Sequence, residues 1–262
     1  RLGKYQKAKH IYKLILAKRV LDWALLGLAR TLICLEEYKQ AVNELQQVLI
    51  LNKNCVPAFD LLAECYQHLD EADLVQEHLT YAVKLSPFSV ERQNTLGEVC
   101  ETNHDFESAC KAYRSALKAS KYSIKEEPER YYKLAAAITD SMAGDMSRFD
   151  STKVMEAHRI LAEMEGRIDS GKESEIRKDL IGVRLFLNQQ KPRQALELMQ
   201  DLDQGLISNP DNLSTATLIE LSHSLLSLGD EVKAKILMVY LLKRDDLSLS
   251  QRNHAKTLLG NF

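Results

Sequence analysis

Three stretches of this chain repeat one another with a period of 34 residues, which limits its fold more than any other feature. Ala41, Val75 and Ala109 form one column. Seven more columns keep that register without an insertion: Leu25/Phe59/Gln93, Leu28/Leu62/Leu96, Ala29/Ala63/Gly97, Leu32/Tyr66/Cys100, Tyr38/Ala72/Phe106, Leu45/Leu79/Tyr113 and Val48/Ala82/Ala116. A period of this length means stacked supersecondary units, none of which can bury its apolar face alone. Within each unit the apolar columns recur at i, i+3, i+4 and i+7, first on one segment and then, after a short turn, on another. That is the pattern of two amphipathic helices, so each unit reads as a helix hairpin. The Ala29/Ala63/Gly97 and Ala41/Val75/Ala109 columns are small because the helices cross there, where a large side chain would force the backbones apart. The large columns are expected to fill the space between hairpins.

The array extends both ways. Gly3 to Leu16 reads as the second helix of an earlier unit, with Tyr5, Ala8 and Tyr12 in the Tyr38, Ala41 and Leu45 columns. Its first helix has no counterpart, so the chain is expected to be cut from a longer protein. Downstream, Ala157, Ala195 and Ala234 recur at slightly longer steps, and Leu161, Met199 and Met238 follow each by one helical turn. These read as divergent hairpins with longer turns. The breaker-containing stretch from Ser141 to Ser151 is the expected bulge or loop between sub-arrays, and Gly260 suits the end of a capping helix. The expected organisation is the second helix of a truncated repeat over 1–20, three regular units over 21–122, and divergent helix pairs with a C-terminal cap over 123–262.

The period and the spaced small and aromatic positions in "ALLGLARTLICLEEYKQAVNELQQVL" and "TLGEVCETNHDFESACKAYRSALKAS" resemble the tetratricopeptide repeat. The closing proline of that repeat appears once in the three units, at Pro87, with Lys53 and Lys121 at the other two positions. The resemblance implies an all-α, right-handed α-solenoid of antiparallel helix pairs. Leu85, Ser86, Pro87, Ser89, Val90, Arg92, Gln93, Leu96 and Gly97 are similar, more narrowly, to the repeat region of bacterial response regulators that join a receiver domain to C-terminal tetratricopeptide repeats. That likeness implies a receiver upstream and a signalling output through protein contact.

Formal net charge is −2, with 35 basic and 37 acidic side chains. Such a balance does not suit a protein that neutralises many phosphates, so nucleic acid is not an expected partner. The longest apolar runs fall far short of the roughly 20 residues of a membrane span. Five cysteines, Cys34, Cys55, Cys65, Cys100 and Cys110, are an odd number without framework spacing. They suit a reducing compartment, and the expected location is the cytoplasm.

Chemistry-bearing motifs are scarce. No Gly-rich phosphate loop, nucleophile elbow or zinc-protease helix is present, so no catalytic residue and no cofactor is expected. Cys65 with His68, and Cys100 with His104, could each supply two metal ligands. Structural zinc ordinarily needs four, so core and turn roles are expected instead, and no metal. Glu126, Glu127 and Glu129 around Pro128 read as a helix start rather than a cation site. An enzyme hidden in the divergent half would reveal itself as His and carboxylates converging around Met155 to Gly205.

The surface offers more. Stacking exposes one face of each first helix along a groove. The repeat register places Trp23, Leu26, Arg30 and Ile33 there, then Asp60, Glu64 and Gln67, then Glu91, Asn94, Glu98 and Glu101. A groove apolar at one end and acidic beyond favours an amphipathic protein segment carrying Lys or Arg. A solvated helix face for the acids, and burial of Trp23 and Leu26 against an absent helix or domain, are the competing readings. The expected function is a non-catalytic protein-interaction module, the output region of a response regulator, with a constitutive scaffold for a secretion or pilus-type complex as the alternative.

Overall fold

The helix starts follow the period. In the computed structural model α2 (Asp22–Ile33), α4 (Val56–His68) and α6 (Val90–Thr102) begin one full period apart, as do α3 (Tyr38–Leu51), α5 (Ala72–Leu85) and α7 (Phe106–Ser120). Before them lies α1 (Leu2–Lys18). After them come α8 (Pro128–Asp140), α9 (Ser151–Glu165), α10 (Lys172–Asn188), α11 (Pro192–Leu206), α12 (Thr215–Ser227), α13 (Glu231–Leu242) and α14 (Leu249–Gly260). The structure describes residues 2–121, 127–143, 149–165, 172–206, 210, 213–245 and 247–260, and no strand occurs among them.

Each regular hairpin turns through a left-handed residue two positions before its second helix, with φ of 61° at Glu36, 60° at Asp70 and 58° at His104. The next N–H reaches back into the first helix, from Glu37 to Leu32 O (2.9 Å), Glu71 to Tyr66 O (3.0 Å) and Asp105 to Cys100 O (2.8 Å). This satisfies carbonyls that the first helix leaves without a partner. The same device recurs in the divergent half at Gln190 (φ 56°) and Gly229 (φ 82°). Of the second helices, α7 and α13 start on Asp105 and Asp230 side chains that accept from Ser108 N and Lys233 N, and α11 starts on Pro192, whereas α3 and α5 follow Glu37 and Glu71 without a side-chain cap.

Two expectations are corrected. The Ser141–Ser151 stretch connects α8 to α9, which pack as one hairpin, so it lies inside a pair and not between sub-arrays; its middle, 144–148, is outside the described residues. The α10–α11 and α12–α13 turns are as short as the regular ones. The added length falls between hairpins, as in the stretch from the end of α11 to the start of α12.

The chain divides into two compact units, Arg1–Val99 and Cys100–Phe262. The last turn of α6 goes with the second unit because Cys100 O accepts from Asp105 N and Glu101 accepts from Tyr113 on α7. In the first unit Leu28, Ala29, Leu32, Ala41, Leu45, Leu62 and Cys65 form the core, with Tyr12 and Leu16 of α1 packed against it. In the second, Leu180, Val183, Leu218, Leu221, Leu237, Met238 and Leu241 do so. Each buried leucine contributes roughly 1.5–3 kcal/mol relative to exposure. The small columns are buried as expected, and so are Ala157, Ala195 and Ala234. Among the described residues no helix is long and apolar enough to cross a membrane.

Candidate functional site

The first-helix positions of the first unit fall into two concavities of opposite character. One, of about 410 Å³, is lined by Tyr5 and Tyr12 of α1 and by Trp23, Leu26, Gly27, Arg30, Thr31 and Cys34 of α2. Trp23 is 56% exposed. The Tyr12 ring lies on Gly27 so closely that an added Cβ would stand 2.5 Å from it, which explains a glycine inside α2. Arg30 is exposed at the rim.

The other concavity, of about 270 Å³, is formed by Asp60, Ala63, Glu64 and Gln67 of α4, Val75 and Leu79 of α5, and Glu91, Arg92 and Thr95 of α6. Asp60 takes a bidentate grip on Arg92, with Nε to Oδ1 at 2.8 Å and Nη2 to Oδ2 at 2.7 Å. That pairing pushes the Arg92 guanidinium pKa above its usual value. The negative charge facing solvent here is therefore Glu64 and Glu91, both exposed, rather than Asp60.

Of the residues expected along the groove, Trp23, Leu26 and Arg30 thus share one concavity, and Asp60, Glu64, Gln67 and Glu91 share the other. Ile33, Asn94 and Glu98 line neither. Ile33 packs on the core, and Asn94 has a buried Oδ1 without a hydrogen-bond partner. Glu101 belongs to the second unit, where its Oε2 accepts from Tyr113 Oη at 2.8 Å. Burial pushes its carboxyl up to about 8. Sequence reasoning missed Arg92, although this cation stands just short of one period after Asp60, on the neighbouring first helix.

The cysteine–histidine pairs do not come together as ligands. Cys65 and Cys100 are fully buried, and burial pushes both thiols up to about 12. His68 stacks on Tyr38 at 4.3 Å, and His104 occupies the left-handed turn. Among the described residues no group of three or more His, Cys, Asp or Glu is placed to hold a metal. Glu127 and Pro128 open α8, while Glu126 is outside the described residues.

The second unit holds a charged cluster that the sequence did not foretell. Arg184 on α10 donates to Asp140 of α8 and to Glu220 of α12, and His223 Nδ1 stands 3.5 Å from its Nη1. Two turns earlier on α10, Arg177 bonds Glu129 at 2.5 Å and lies 4.4 Å over the Tyr132 ring. His and carboxylates do converge here, but the carboxylates are held by guanidinium groups. The adjacent hydroxyls of Ser222 and Ser224 donate to the carbonyls of Leu218 and Leu180. Burial, and then the Arg184 charge, push His223 down to about 3. This arrangement cross-links α8, α10 and α12 and offers no activated nucleophile.

No protein-family model and no curated protein matches the chain. A chain in the structure of Naa15/Naa10 bound to HypK-THB superposes on 98% of this one with a TM-score of 0.57 at 16% identity. This chain spans 37% of that chain's length. A tetratricopeptide repeat protein from Parabacteroides merdae ATCC 43184 gives a TM-score of 0.55 at 11% identity, covering 98% of this chain and 93% of that one. At these identities the likeness is one of fold, and the fold is that of tetratricopeptide-type helix hairpins.

Proposed function

We propose that the chain is a non-catalytic protein-interaction module, the output region of a two-component response regulator, and that it takes a basic, amphipathic protein segment on its first-helix face. The observation that carries this reading is the second concavity, where Glu64 and Glu91 face solvent beside the apolar wall of Val75 and Leu79. Acidic groups around an apolar floor suit a ligand that presents Lys or Arg along with aliphatic side chains. The structure similar in fold that contains Naa15/Naa10 is bound to a protein, HypK, which agrees with this use of helix hairpins. The regulator assignment rests on the residues from Leu85 to Gly97 noted above.

Affinity capture from a bacterial lysate tests both parts, using the whole protein with and without a phosphoryl mimic. Beside it goes the Glu64→Lys/Glu91→Lys variant. A partner lost on charge reversal supports the acidic face, and one retained by the variant excludes it. A partner held only with the mimic supports the regulator reading, and one held equally in both states favours the constitutive scaffold.

A further inference from the structure

The acidic face asks for a basic, partly apolar ligand, and this chain carries one outward on α1. Residues 1–21 contain seven Lys and Arg and no Asp or Glu, a net charge of +7; residues 22–99 contain five against twelve, a net charge of −7. On α1, Lys4, Lys7, Ile11, Leu14 and Lys18 follow one another at spacings of three and four, which aligns them in one stripe roughly 21 Å long. All five are exposed, Ile11 by 55% and Leu14 by 54%. The opposite face is already used, with Tyr12 and Leu16 on the core and Lys9 paired to Glu37 at 2.5 Å.

Two such stripes cannot pair with each other, because a two-fold contact would set three cations against three. Their complement is Glu64 and Glu91, which no cation among the described residues compensates in the way that Arg92 compensates Asp60. We propose that the α1 stripe of one copy docks on the acidic first-helix face of a second copy, head to tail. The proposal rests on the acidic-face reading above and names its occupant. A heterologous contact leaves a free stripe and a free acidic face at the two ends, so growth does not stop at a dimer.

Sedimentation velocity of the chain over a concentration series is the test, at about 0.1 M and about 1 M salt, where the Debye length falls from about 10 Å to about 3 Å. The expected result is mass rising past a dimer at low salt and reverting to monomer at high salt. Lys7→Glu/Lys18→Glu and Glu64→Lys/Glu91→Lys should each be monomeric at low salt with unchanged helical circular dichroism. Mixed in equal amounts they should associate again, since each reversed face meets its new complement. A monomer under all conditions, a mass indifferent to salt, or a mixture that stays monomeric overturns the proposal. So does a monomeric chain whose α1 charges serve to bind phosphatidylserine vesicles. If the wild-type chain is monomeric while Glu64→Lys/Glu91→Lys still loses its captured partner, self-docking fails and the acidic-face reading stands.

Discussion

Arg184 Nη1 donates to Asp140 Oδ1 at 2.7 Å from a side chain only 3% exposed, so a guanidinium on α10 holds a carboxylate on α8 inside the second unit. Its Nη2 holds Glu220 on α12 in the same way. Three consecutive first helices are therefore fixed to one another by a single cation. A buried charge of this kind is costly to place and more costly to break.

Arg184→Met should destabilise the chain by about 3–5 kcal/mol, because Asp140 and Glu220 then lose the guanidinium that bonds them both. Replacing all three, as Arg184→Met with Asp140→Leu and Glu220→Leu, should recover most of that loss. Urea midpoints at constant m-value read both effects. A single variant no weaker than the triple one would show that the cation does not hold the helices.

The same region should set a pH optimum. Glu101 is raised from 4.5 to about 8, chiefly by burial, so between those values the folded state keeps a proton that the unfolded chain has released. Stability then falls as pH rises through that window. His223 is lowered from 6.5 to about 3, so its contribution is complete above 6.5 and is lost as pH falls toward 3. Unfolding midpoints from pH 4 to 9 should peak in the mildly acidic range. Glu101→Gln, which still accepts from Tyr113, should remove the alkaline decline; an identical decline in that variant would assign it to another group.

Left-handed turn residues give a second, independent handle. Glu36, Asp70, His104 and Gln190 carry side chains at φ between 56° and 61°, where glycine alone is unstrained. Each single change to Gly should stabilise by about 0.5–1 kcal/mol, and the effects should add because the turns belong to different hairpins. Gly229→Ala should cost a similar amount through φ of 82°, since the space around it is open. Thermal unfolding of the four single variants and their combination checks this.

What the sequence made legible was what repeats. Columns such as Ala41/Val75/Ala109 bury the same face at the same step, so helix starts one period apart follow from apolar spacing alone. The left-handed turns at Glu36, Asp70, His104 and Gln190 escaped notice because none carries the glycine that stands at the equivalent position in Gly229. The Arg184 cluster escaped for a different reason: its partners come from the first helices of the hairpins before and after its own, in a stretch where the period has drifted. The pairing of Asp60 was not legible either, because a neighbour on the next hairpin decides whether a carboxylate in the concavity also holds an arginine.

That neighbour supplies the last prediction. The Asp60–Arg92 pair is partly exposed, so Arg92→Gln should change stability by less than about 1 kcal/mol. It should nevertheless return the Asp60 charge to the acidic concavity that Glu64 and Glu91 already line. One added charge a few ångströms from a ligand ammonium in a half-solvated cleft is worth about 1 kcal/mol, or roughly fivefold in affinity. Fluorescence anisotropy with a labelled Lys/Leu amphipathic peptide should therefore report tighter binding for Arg92→Gln at low salt, and the advantage should disappear at about 1 M salt. Weaker binding at low salt would mean that the Arg92 guanidinium itself touches the ligand, and that this concavity takes an acidic or carbonyl-rich segment instead of a basic one.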